Sequence, residues 1–158
     1  MTGHLANTVK RFLCFGLFTM LTSGAKAVDL PPCGPNVHPL DCYVNSSKIA
    51  VMFGELEARL AVSRYRQGQH THAETLSAIK NNVTSYRENI EPRFQAAARH
   101  LAGNKDALNV LKDYHAYWIG TLEGLMQEPS ESEGAFKRRV AERQSALDDK
   151  RNRLLLEK

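Results

Sequence analysis

Cysteine and tryptophan are scarce in this 158-residue chain, and the common motifs of catalysis are missing. Three cysteines and one tryptophan occur. The sequence contains no G-x-S-x-G nucleophile elbow, no H-E-x-x-H zinc helix and no glycine-rich phosphate loop. It also lacks the C-x-x-C redox pair and the C-x-x-C-H haem attachment motif. We therefore expect a protein that is not an enzyme.

Long apolar runs are also missing once the N-terminus is passed. Lys10 and Arg11 precede a short apolar run, "FLCFGLFTMLT", and small residues follow at Ala25 and Ala27. A basic start, an apolar run of about 7–15 residues and a small-residue cleavage site are typical of a secretory signal peptide. The run is shorter than the roughly 20 residues that span a bilayer. We predict a signal over residues 1–27, a secreted or periplasmic mature chain and no stable membrane insertion after cleavage.

The positive charge of the chain is partly a property of this signal. Lysine and arginine number 21 against 17 acidic residues. Lys10, Arg11 and Lys26 leave with the signal and no acidic residue does, which leaves 18 basic against 17 acidic residues and a net charge of +1. A nearly neutral chain does not attract a polyanion strongly. We therefore exclude nucleic acid as a partner.

Two cysteines bracket the stretch "CGPNVHPLDCY" at residues 33–43. Cleavage removes Cys14 and leaves Cys33 and Cys42 in an oxidising compartment, where thiols pair. Their spacing, with a single nearby histidine, makes a poor zinc site, because such sites usually have four ligands. We predict a disulfide that closes an irregular, proline-rich arm over residues 28–42. The prolines of this arm argue against helix before residue 43.

Apolar residues at three- and four-residue steps predict four helices in one domain over residues 43–158. No strand-like alternation occurs, and the links between helices are short. Short links favour antiparallel neighbours, so we predict an all-α, up-down-up-down bundle of three to four helices. The four apolar stripes are Ile49, Met52, Phe53, Leu56 and Leu60; Leu76, Ile79, Val83, Tyr86, Ile90, Phe94, Ala97 and Leu101; Leu108, Leu111, Tyr114, Trp118, Leu122 and Leu125; and Phe136, Val140, Leu147 and Leu154.

Helix boundaries have recognisable signals. Glycine ends helices, Asn, Ser and Thr begin them, and a Ser or Thr three residues before Glu predicts a capping box. A proline inside a helix kinks or splits it. In chain order the signals are a stop at Gly68, a capping box at Thr71 and Glu74, an interruption at Pro92, a start at Asn104, a stop at Pro129 and a second capping box at Ser130 and Glu133.

The fourth helix is rich in basic residues. They outnumber three acidic neighbours and suggest a ridge for an acidic partner, although a solvated helix with internal ion pairs has the same composition. Arg143 and Lys150 fall on the seven-residue seam that begins at Phe136, so we expect this helix to dock loosely. The candidate partner-binding residues are Lys137, Arg138, Arg139, Arg143, Lys150, Arg151 and Arg153.

Signals for a cofactor or metal are weak. His70 and His72 could hold copper or zinc, but no third histidine lies near them, and a competent site needs three or four ligands. We expect no metal and no cofactor. The leading hypothesis is an exported protein-interaction module, such as an inhibitor, immunity or chaperone-like protein. The alternative is a carrier of a small ligand, haem or metal in the core near Met52, Tyr86 and Trp118.

Overall fold

The computed structural model describes residues 30–157, so the predicted signal peptide lies outside the described residues. Four helices follow one another: α1 (Pro39–Arg66), α2 (His72–His100), α3 (Lys105–Glu123) and α4 (Glu133–Leu156). The described part of the chain contains no strand, and the predicted all-α fold is confirmed. None of these four helices is long and apolar enough to cross a membrane.

Several helix boundaries follow from the predicted capping residues. The Thr71 hydroxyl accepts a hydrogen bond from the Glu74 backbone N–H, and the Glu74 carboxylate accepts one from the Thr71 N–H. Asn104 caps α3 by accepting from the Ala107 N–H. Gly68, just beyond the end of α1, has a φ of 71°, a conformation that favours glycine because it has no Cβ.

Three boundary predictions were wrong. The N-cap of α4 is Ser132, whose hydroxyl accepts from the Ala135 N–H, so the capping box expected at Ser130 does not form. α1 begins at Pro39 rather than at residue 43, because proline is tolerated at the first helical position, where an N–H would have no partner. The third is the end of α3, which lies at Glu123 rather than at Pro129. Pro92 lies inside α2, which is not split there, and a kink at Pro92 stays a prediction.

The helices form an antiparallel bundle in which each helix contacts the next one along the chain and α4 returns to contact α1. Tyr43, near the start of α1, contacts Phe94 near the end of α2, whereas Tyr65 at the other end of α1 contacts His72. α1 packs mainly on α2 and α3 mainly on α4, with lighter contacts between α2 and α3, between α1 and α4, and between α1 and α3. This is the arrangement expected of an up-down-up-down bundle.

The predicted stripes of α2, α3 and α4 point into the core. The largest fully buried side chains include Trp118, Tyr86, Tyr114 and Phe136. The Trp118 indole N–H donates to the Ser47 carbonyl oxygen at 2.9 Å, which ties α3 to α1. These stripes were correctly predicted because each of these helices has one dominant apolar face.

The predicted stripe of α1 faces the opposite way, and that prediction was wrong. Met52 is 58% exposed, Leu56 49% and Leu60 48%. The buried face of α1 combines small residues with larger ones near its two ends and at Val51. The small residues are Ser46, Ser47, Ala50, Gly54, Ala58 and Ala61, and the larger ones are Leu40, Tyr43, Val44, Val51 and Val62. A Cβ on Gly54 would lie 2.7 Å from Leu125 Cδ1, so a larger residue there would require the buried Leu125 side chain to move.

α4 docks on the bundle through the predicted residues Phe136, Val140, Leu147 and Leu154, which are all buried. Arg143 and Lys150 do not lie in this seam. Arg143 donates to the Gly120 carbonyl oxygen at 2.7 Å, and Lys150 pairs with Asp113 at 2.7 Å, so both reach sideways to α3. The expectation that their charges would loosen the docking was therefore wrong.

The N-terminal arm is held to the bundle at two points. Cys33 and Cys42 are bonded, with Cα atoms 5.8 Å apart, and the predicted disulfide is confirmed. Cys42 lies in the first turn of α1, so the bond links the arm to that helix. Arg93 of α2 donates to the carbonyl oxygens of Leu30 and Pro31 at 3.2 and 2.9 Å.

Candidate functional site

The exposed apolar side chains of α1 form the most distinctive surface of the described residues. Met52, Leu56 and Leu60 follow one another at four-residue steps over about 12 Å of helix, at 1.5 Å per residue. Phe53 is 36% exposed and lies beside them, and Ile49 is partly buried. We call these five residues the outer face of α1. Four side chains exposed to this extent leave on the order of 350 Å² of apolar surface, the size of patches that are often functional.

A groove between α1 and α4 runs along one edge of the outer face. Its larger cleft, of about 310 Å³, is lined by Leu56 and Leu60 together with Arg59, Arg66 and Glu133. A second cleft of about 70 Å³ is lined by residues that include Met52, Lys48, Leu147 and Arg151. A hydrogen bond of 3.1 Å from the Gln144 amide to Glu55 joins α4 to α1. The outer face and this groove are continuous because Met52, Leu56 and Leu60 belong to both.

The larger cleft carries an excess of positive charge. Glu133 pairs with Arg59 at 3.0 Å and with Lys137 at 2.8 Å. Its pKa is lowered by the hydrogen bond and charge of Lys137 and then by those of Arg59, so it is ionised at neutral pH. Arg66 donates to the Glu131 backbone carbonyl oxygen at 2.8 Å and is not neutralised by that contact. Two arginines and one carboxylate thus line the cleft, and Lys137 pairs with the same carboxylate.

The basic residues of α4 lie on both flanks of the helix. Arg139 reaches back to Glu131 at 2.8 Å, donates to the carbonyl oxygens of Gly124 and Met126, and stacks on Phe136, so it holds the α3–α4 loop. Arg143 and Lys150 contact α3, as described above. Lys137 and Arg151 lie on the α1 side, Arg151 pairing with Asp148 at 3.0 Å. Arg138 and Arg153 are exposed. A role for these residues in partner binding stays a prediction.

The two weak metal candidates do not converge. The His72 Nε2 atom lies 3.5 Å from Glu128, and its ring meets the edge of Tyr65. His70 takes no part in this pair. Among residues 30–157 no group of three His, Cys, Asp or Glu side chains is arranged to hold a metal ion.

A polar and aromatic cluster around His115 was not foreseen from the sequence. The ring stacks on Phe94 at 3.8 Å between centroids and lies 5.7 Å from Trp118. Its Nδ1 atom shares a hydrogen bond of 2.9 Å with the Tyr43 hydroxyl, and Nε2 lies 3.6 Å from Glu91. Burial lowers the pKa of His115, although Glu91 opposes this. The ring is therefore neutral at pH 7 and acts as a packed aromatic group.

Two tyrosine hydroxyls extend this cluster into the core. The Tyr114 hydroxyl shares a hydrogen bond of 2.7 Å with Ser47. Burial raises the pKa of Tyr114 to about 12 and that of Tyr43 well above its usual value, so both remain protonated. Partnered and neutral, these groups hold α1, α2 and α3 together.

The residues named for a ligand carrier do not share a cavity. Tyr86 and Trp118 are fully buried within the core, whereas Met52 is on the outer face of α1. These three residues therefore do not line one binding site, and nothing in this geometry favours the carrier.

Comparisons with protein-family models, with curated proteins and with solved structures gave no match for this chain.

Proposed function

We propose that the protein is an exported, non-enzymatic helical module that acts by binding another protein. The outer face of α1 carries this proposal. A helix with apolar residues on both faces is ordinarily buried on both sides. α1 buries one face in the bundle and leaves Met52, Leu56 and Leu60 exposed on the other, which is the pattern of a surface that a partner covers.

Export is supported by two independent features of the chain. The N-terminal segment has the order of charge, apolar run and small residues that a secretory signal requires. The Cys33–Cys42 bond is of the kind that persists in an oxidising compartment. Both features agree with a secreted or periplasmic location.

Fractionation combined with cross-linking tests this function. A C-terminally tagged full chain is produced in its source cells, and the exported fraction is treated with formaldehyde before purification. We expect a chain that begins at Val28, retains its disulfide and migrates partly as a discrete complex with another protein. A chain that keeps residues 1–27 inside the cell, or an exported chain that is recovered uncomplexed, would contradict the proposal.

A further inference from the structure

We infer that the outer face of α1 and the adjoining α1–α4 groove bind an amphipathic helix of the partner protein, with Asp and Glu along the flanks of its apolar stripe. This inference rests on the proposed function and specifies its site and the chemistry of the partner. It goes beyond the sequence-based expectation, which placed binding on α4 and the outer face in the core.

The shape of the surface favours a helix as the occupant. Extended peptides usually bind by adding a strand to a sheet edge, and the described residues contain no sheet. A helix satisfies its own backbone hydrogen bonds and presents apolar anchors at three- and four-residue steps. Met52, Leu56 and Leu60 repeat with the same spacing, so a partner helix lying along α1 can match them over about three turns.

The charge around the groove selects an acidic helix. Arg59 and Arg66 line the larger cleft together with Glu133, and Lys137 pairs with Glu133 from outside the cleft lining. In the smaller cleft Arg151 pairs with Asp148, and Lys48 adds a further positive charge. Carboxylates on the flanks of a docked helix would meet this excess, whereas lysines would be repelled.

A second copy of the chain fits this surface less well. A symmetric dimer would bring two identical basic rims together, because a two-fold interface pairs each surface with itself. An acidic helix covers the apolar strip without this difficulty.

Site-specific photo-cross-linking in the native compartment tests the inference. The photoreactive residue benzoylphenylalanine replaces Leu56 in one variant and the exposed residue Thr84 of α2 in a control. After irradiation, mass spectrometry identifies the segment that each position reaches. We expect Leu56 to reach a partner segment that is net negative and has apolar residues at three- and four-residue steps, and Thr84 not to reach it.

Four other targets of the Leu56 cross-link would overturn the inference. They are a basic or neutral segment of a partner, a lipid, a second copy of the chain, and residues 1–29 of the same chain. If the formaldehyde complex forms but Leu56 gives no cross-link, the inference fails while the proposed function stands. If no complex forms in either experiment, both fail.

The identified segment, made as a synthetic peptide, then allows a quantitative comparison. We expect Leu56→Ser to weaken binding by about tenfold or more, because it removes a central apolar anchor. Lys137→Gln should weaken binding and reduce its dependence on salt. Leu156→Ser is the matched control, since Leu156 is 85% exposed on α4 outside the groove, and its affinity should equal that of the wild type. Equal affinity for Leu56→Ser and the wild type would contradict the site.

Discussion

At the scale of single residues, Gly54 lies on the face of α1 that packs against Leu125. A Cβ at this position would lie 2.7 Å from the end of the Leu125 side chain, which is itself buried and would have to move. We predict that Gly54→Ala is less stable than Gly120→Ala by about 1–3 kcal/mol, the usual cost of overpacking. Gly120 is a suitable control because a Cβ there meets nothing within 4 Å. Urea unfolding measures the difference, and equal stability would show that α1 does not approach the core closely at Gly54.

His115 gives the fold a dependence on pH. Burial holds its pKa below that of an unfolded histidine, so the unfolded chain binds a proton at a higher pH than the folded one. The contribution to stability is therefore present above about pH 6.5 and is lost as the pH falls through the folded pKa.

We predict that His115→Gln loses less stability than the wild type between pH 7.5 and pH 5. The other histidines are common to both proteins, so the difference between the two curves isolates His115. Chemical unfolding at several pH values gives these curves. Parallel curves would show that His115 does not titrate with folding.

At the scale of elements, the disulfide stabilises the junction between the arm and α1. Closing a loop of about ten residues removes roughly 2.5–3 kcal/mol of unfolded-state entropy in the chain-entropy model. We predict that the double substitution Cys33→Ser, Cys42→Ser lowers the free energy of unfolding by about this amount and leaves the helical circular dichroism unchanged. A stability equal to that of the wild type would mean that the arm is not constrained by the bond.

α4 behaves in this structure as part of the core. Leu147 is 6% exposed, so we predict that Leu147→Ala costs about 2–5 kcal/mol. Leu156→Ala, at an 85% exposed position on the same helix, should stay within about 0.5 kcal/mol of the wild type. Thermal or urea unfolding of the two variants checks this. Similar small effects for both would show that α4 is loosely attached.

The number of helices and several of their caps could be predicted from the sequence, whereas the face that α1 turns towards the core could not. Caps such as Thr71 and Asn104 act through local hydrogen bonds, so they can be recognised without knowing the fold. The buried face of α1 was predicted wrongly because this helix has apolar residues on both faces. The regular stripe from Ile49 to Leu60 favoured the face that the structure exposes. The packing of Gly54 against Leu125 is a tertiary contact that the sequence alone does not reveal.

The candidate site could not be foreseen for the same reason. The sequence shows Leu56 and Leu60 as part of an apolar stripe, but this stripe was assigned to the core. The basic residues of α4 were interpreted as one ridge. Arg139 and Arg143 reach carbonyl oxygens near the end of α3 instead, which a count of charges along one helix cannot reveal. The alternation of Ala, Gly and Ser on the opposite face of α1 was the available signal.

At the scale of the whole molecule, the bundle turns Gly54 and its small neighbours on α1 inward and leaves Met52, Leu56 and Leu60 exposed. The central claim is therefore the orientation of α1, and urea unfolding of the double variant Leu56→Ser, Leu60→Ser tests it most directly without any partner. We predict a loss of less than about 2 kcal/mol, because both side chains are roughly half exposed. A loss of more than about 5 kcal/mol, the sum typical of two core leucines, would place these residues inside the bundle and contradict the account.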